Sequence, residues 1–223
     1  MEKILKQKKA QETAKRYILT IIGLFFSALG VAITKKGELG VSPISSVANV
    51  LSIKFTVLSL GNWLIIWNCA LILGQILLLR RKFQWIQLLQ IPLSFLFGYF
   101  TDFGMWIMSL FDITAYVSRL MMIIIGTLVL GFGISLSVIA NVIMNSGEAF
   151  VKAISDTIHK DFGNIKICFD VSCVAIAVLL SLLFFRGVRG AREGTVIAAL
   201  CTGLAVKPFT RLLRTPLEKI LLK

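Results

Sequence analysis

LMMIIIGTLVLGFGISLSVIANVIMNS, residues 120–146, carries no charged side chain. A helix needs about 20 predominantly apolar residues to cross the hydrocarbon core of a bilayer, so this stretch is long enough to span one. The rest of the chain reads the same way. Of its 223 residues 57% are hydrophobic and 16% charged, too little charge to cover a water-facing domain of this size. Apolar runs at approximately 17–34, 62–79, 86–103, 119–144, 165–185 and 194–212 predict six transmembrane helices in an all-α integral membrane protein. The first run ends in Thr34, Lys35 and Lys36 without a small-residue cleavage site, which predicts a retained span rather than a removed leader.

The net charge of +13 is concentrated between these runs. Lys3, Lys6, Lys8, Lys9, Lys15 and Arg16 precede the first, Arg80, Arg81 and Lys82 follow the second, and Lys207, Arg211, Arg214, Lys219 and Lys223 close the chain. That is the spacing of topology signals, with anionic headgroups as counter-charge. No aromatic and basic residues interleave as a nucleic-acid surface would require, so the predicted partner is the lipid bilayer. With six crossings, both termini fall on the side that collects most of the 24 lysines and arginines, the cytoplasmic side. Arg186, Arg189 and Arg192 then lie in an external loop and break the rule.

The two halves superpose. At an offset of about 102, Gly61, Asn62, Ile65, Trp67 and Asn68 fall on Gly163, Asn164, Ile167, Phe169 and Asp170. The order is the same in both: span, short polar helix, Gly-Asn entry, span, basic loop, span. Three crossings per copy force the second copy upside down. The predicted fold is therefore two inverted three-helix repeats, each with a short amphipathic or re-entrant helix after its first span, the build of many secondary transporters. The divisions are a basic segment at 1–16, repeat 1 at 17–112, repeat 2 at 113–212 and a basic tail at 213–223. The exceptional arginines become the inverted counterpart of the Arg80 loop.

The short helices lie at about 43–59 and 147–161, with Ser42 ahead of Pro43, and Ser146 ahead of Glu148, as their start signals. Whether they are re-entrant, interfacial or spanning is open at this stage. A helix that begins inside a membrane protein presents unpaired N–H groups and a positive dipole end, which suits an anionic or carbonyl-bearing solute. Glu148 favours a cation or amine instead. Ionisable groups at membrane depth mark candidate sites. Asp170 is the sharpest, because its repeat mate Asn68 places a second polar group at equivalent depth. Asn49 on the first short helix, Asp102 at the end of the third span and Lys207 within the sixth complete the candidate substrate-binding set.

No catalytic arrangement emerges: there is no phosphate loop, no Ser/His/Asp or Cys/His set and no HExxH, and His159 is the one histidine. Cys69, Cys168, Cys173 and Cys201 sit in apolar runs with no metal-ligand spacing. The sequence predicts neither an enzyme nor a bound cofactor or metal. Trp63, Trp67, Trp85 and Trp106 lie near span ends and predict an interfacial belt.

The string Gly30-Val-Ala, then Glu38-Leu-Gly-Val-Ser-Pro43, then a short polar helix, then Leu60-Gly61-Asn62 opening the next apolar run, resembles the bacterial YczE/YyaS/YitT-like membrane proteins. Where many of those proteins carry an acidic or aromatic residue and a histidine after the Ser-Pro, this chain has Ile44, Ser45 and Asn49. The resemblance implies a multi-pass protein of the bacterial plasma membrane in a family regarded as transporters. The leading expectation is a permease or exporter of a small polar or amphipathic metabolite, rocking one repeat against the other. A second is a substrate-binding subunit docked on a separate ATPase module, with Ala28 and Ala32 as a small-residue face for a partner membrane protein or another copy. A third is a non-transporting scaffold for a biosynthetic enzyme.

Overall fold

The computed structural model describes residues 2–160 and 162–221, with side chains for 11–160, 164–199 and 201–221. The elements are α1 (Glu2–Lys36), α2 (Pro43–Lys54), α3 (Leu60–Leu79), α4 (Gln90–Ser109), α5 (Tyr116–Ala140), α6 (Ser146–Ile158), α7 (Phe162–Phe185) and α8 (Glu193–Leu221), with two short 3-10 turns between α3 and α4. Among the described residues, six helices are long and apolar enough to cross a membrane: α1, α3, α4, α5, α7 and α8.

The molecule is built around α1 and α5, which run antiparallel. A Cβ placed on Gly30 would lie 2.5 Å from the Leu130 backbone nitrogen and 2.7 Å from the Gly126 carbonyl oxygen, and one on Gly126 would lie 2.7 Å from the Thr34 nitrogen. Glycine lets the two backbones touch where any side chain would hold them apart. Farther along the same seam Gly23 faces Gly133.

Lys15 Nζ donates to the Ile220 carbonyl at 3.3 Å and Arg16 Nη1 to the Ala140 carbonyl at 3.1 Å, so the start of α1 and the ends of α5 and α8 share one end of the bundle. We call it the terminal end. Leu19, Leu136, Ile139, Ala140 and Leu221 form its core, with Leu213 and Leu217 packed against them. The segment 213–221, read from sequence as a basic tail, is therefore the continuation of α8. Helix α8 runs through Pro208 and Pro216 to reach this core. The opposite, distal end holds the end of α1, the starts of α3 and α5 and the α7–α8 loop, tied by the Arg119–Glu38 ion pair at 2.8 Å.

The packing of one half recurs in the other. Helix α1 packs on α4 as α5 packs on α8, α2 on α7 as α6 on α3, and α2 on α3 as α6 on α7. One pairing is not repeated. Helix α3 packs along α4, whereas α7 makes little contact with α8 among the described residues.

Candidate functional site

Helix α2 has 12 residues, about 18 Å at 1.5 Å per residue, too short to span a bilayer. It does not lie on the surface either. Val47 and Val50 pack with Cys173 and Ala177 on one side, and Ala48 packs with Leu64 and Phe97 on the other. Its first turn meets that of α6: a Cβ on Gly147 would lie 2.9 Å from Ile44 Cδ1. From this meeting the helices diverge. Phe55, just past α2, accepts from Trp63 Nε1 at the start of α3, while Gln75 near the end of α3 touches the start of α6. Two short helices therefore begin inside the bundle, nose to nose, and leave toward opposite ends.

Ser42 is the N-cap of α2 with Pro43 at the first helical position, but its hydroxyl donates to Ser45 Oγ at 3.0 Å and caps no backbone amide. The cap of α6 is Asn145, one residue earlier than the sequence reading placed it, because its Oδ1 accepts from Ser146 N at 3.0 Å. Ser146 becomes the first helical residue. It is 1% exposed, and its Oγ has no hydrogen-bond partner among the described residues. Its carbonyl accepts from Gln75 Nε2 at 3.2 Å, and Gln75 also exchanges hydrogen bonds of 3.0 and 3.2 Å with Gln90. This buried glutamine pair clamps the tip of α6 to α3 and α4.

Asn68 lies two turns before Gln75 on the same face of α3, buried, with Nδ2 unpartnered among the described residues. Asp170 is not a free carboxylate. Lys166, one turn away on α7, holds both of its oxygens at 2.6 and 2.8 Å. Glu148 faces this pair: burial pushes its carboxyl above the ordinary value of 4.5, Lys166 opposes the shift and Asp170 adds to it.

Asn49 is 1% exposed; it accepts from Lys35 Nζ through Oδ1 and donates through Nδ2 to the Gly190 carbonyl at 2.6 Å. Asp102 and Lys207 stand apart from these groups. Asp102 accepts from Ser59 Oγ at 2.5 Å and from Gly61 N at 2.8 Å, which fastens the end of α4 to the first turn of α3. Lys207 is exposed on α8. Ala28 and Ala32, offered from sequence as a docking face, are both 0% exposed, covered by the chain's own helices. Of the four tryptophans Trp85 and Trp106 are exposed, whereas Trp67 packs into the core.

Two cavities flank the meeting of α2 and α6. The distal one, about 570 Å³, is lined by Lys35, Lys36, Asn49, Arg189 and Arg192 among others. The terminal one, about 170 Å³, is lined by Gln84, Gln87, Gln90, Met144, Lys152 and Asp156 among others. They occupy corresponding places in the two halves, since Asn49 and Ile53 at the first match Lys152 and Asp156 at the second. No group of three or more His, Cys, Asp or Glu side chains is close enough to hold a metal ion among the described residues.

Gln75, Gln90 and Lys35 were not among the candidates read from sequence. The first carried a usable signal, as an amide within the uncharged α3 run. Lys35 reads as the basic stop at the end of a span, and nothing local in the sequence shows that it turns toward Asn49.

Residues 14–211 match the model of a family described as a family of unknown function (DUF6198). The chain belongs to this family. Among curated proteins and among solved structures nothing matches the chain.

Proposed function

We propose that the protein is a secondary transporter of a small polar or amphipathic metabolite, working by alternating access between two inverted three-helix repeats in a bacterial plasma membrane, with both termini cytoplasmic. One observation carries the reading. The starts of α2 and α6 meet between two cavities that lie toward opposite ends of the bundle. Discontinuous helices whose N-termini point at a shared centre give a solute a polar resting place between two entrances. The antiparallel α1–α5 seam and the exchange of packing partners between halves support the inversion. The string from Glu38 to Pro43 supports kinship with the YczE/YyaS/YitT-like proteins. The reading as a subunit of an ATPase assembly loses its motive, because Ala28 and Ala32 are spent inside the chain.

Reconstitution in liposomes tests the proposal. Counterflow is measured for a panel of radiolabelled carboxylates, phosphates, amines and polyols, with Gly147→Leu as the matched variant. Its side chain wedges into Ile44, so at least one solute class is expected to exchange in wild type and to stop in the variant. Well-folded wild-type protein that exchanges none of them is not a carrier of this kind. Single cysteines at Arg81 and Val188, in a background lacking the four native cysteines, are expected to react with an impermeant maleimide from opposite sides of the membrane. Labelling from the same side refutes the inversion.

A further inference from the structure

We propose that the distal cavity is a capture site for the anionic group, carboxylate or phosphate, of a small solute. This deepens the transport reading and rests on it. At about 570 Å³ the cavity has the size of a small-metabolite site. Four cationic side chains line it, Lys35, Lys36, Arg189 and Arg192, against the single carboxylate of Glu38. Glu38 is paired with Arg119 at 2.8 Å, so the one opposing charge on the lining is itself offset by a further cation. Arg192 is held by Glu193 at 3.1 Å, but Lys36 and Arg189 have no carboxylate within ion-pair distance among the described residues.

The cations sit on a tied frame. Lys35 reaches Asn49 on α2, and Asn49 reaches the Gly190 carbonyl, so α1, α2 and the α7–α8 loop form one cradle. The Arg189 guanidinium stacks 5.5 Å over the Phe185 ring, an arrangement that orders the side chain without consuming its N–H donors. Cations converging on a recess walled by apolar helices concentrate field lines there and draw in anions. The cluster also lies at the end of the molecule that is otherwise poor in lysine and arginine, where retention of topology gives no reason for it.

The test uses the full-length protein in phosphatidylcholine nanodiscs, titrated at constant ionic strength with inorganic phosphate and with succinate. Erythritol and putrescine serve as neutral and cationic controls, and thermal unfolding is followed. At least one of the two anions is expected to raise Tm saturably while neither control does. The double variant Lys36→Gln, Arg189→Gln is expected to lower the unliganded Tm only by what the Arg189–Phe185 stacking contributes, since neither side chain has an acidic partner to lose, and to weaken the anion's apparent affinity at least about fivefold. No saturable shift with either anion, or equal affinity in the variant, overturns the proposal. Discs containing phosphatidylglycerol separate the two sources of anion. If that lipid abolishes the shift at every phosphate concentration, the cavity is a headgroup site and the solute proposal falls. Anion binding without counterflow leaves the site standing and removes the transport reading; counterflow of a neutral solute without anion binding does the reverse.

Discussion

Replacing Gly30 with alanine places a methyl carbon 2.5 Å from the backbone nitrogen of Leu130 and 2.7 Å from the carbonyl oxygen of Gly126. Ordinary van der Waals contact begins near 3.4 Å, so α5 must retreat from α1 by roughly 1 Å, and the obstacle is backbone rather than a side chain that could swing away. Overpacking of this kind costs about 1–3 kcal/mol, of which the better helix propensity of alanine returns somewhat under about 1 kcal/mol. Gly203 on α8 supplies the control, because a Cβ there meets nothing within 4 Å. Gly203→Ala keeps only the propensity gain and is expected to raise Tm slightly, whereas Gly30→Ala is expected to lower it by several degrees. Thermal unfolding of the three proteins, purified in one detergent and scanned at one rate, reads the difference. Equal shifts in the two variants would refute the argument that backbone contact holds this seam.

Three further outcomes are expected. Glu148 has a folded-state pKa above its unfolded value, so the folded protein holds the extra proton, and this residue's contribution to stability falls as pH rises from about 4.5 through the raised value. Glu148→Gln should therefore gain in Tm relative to wild type as pH climbs through that window; a gain that shrinks instead would contradict the partly buried placement beside Asp170. Asp170→Asn and Lys166→Ala each leave a partly buried partner without its opposite charge and are expected to cost about 1–3 kcal/mol, while the double variant costs clearly less than their sum. Additive losses in that cycle would show that the pair is not coupled. Asp102→Ala removes the acceptor for Gly61 N and Ser59 Oγ and is expected to destabilise by about 1–2 kcal/mol. Amide exchange in the first turn of α3 should speed up in this variant, and unchanged exchange there would show that Asp102 does not hold that turn.

The six apolar runs were legible because lipid demands one property over one length, and the sequence displays it as uncharged stretches bounded by charge. The start of α2 was legible too, since Ser42 and Pro43 are position-specific signals. What misled the reading was apolar chain that is not helix. Helix α5 stops at Ala140 because Asn141 adopts a left-handed φ of 49°, yet Val142, Ile143 and Met144 beyond it are as greasy as the span. Apolar composition does not separate a span from a loop dipping into the bundle. The reverse held at α8, where the apolar run reads as ending near 212 and the helix continues to Leu221. The Lys166–Asp170 pair was written in its four-residue spacing on one helix. The Asn49 bridge to Lys35 and Gly190 was not, because it joins three segments that only the fold brings together.

The unmatched pairing of α3 with α4 bears on which way the proposed carrier faces when it is idle. Two identical halves would make its outward and inward postures equivalent by a two-fold rotation and equal in energy, each occupied half the time. Contact made along one flank and sparse along the other among the described residues lifts that degeneracy, and about 1.4 kcal/mol already tilts the occupancy tenfold. If the proposed alternating access operates, a flank this loosely zipped gives the protein a preferred idle posture, written into its own asymmetry before any solute or ion gradient acts on it.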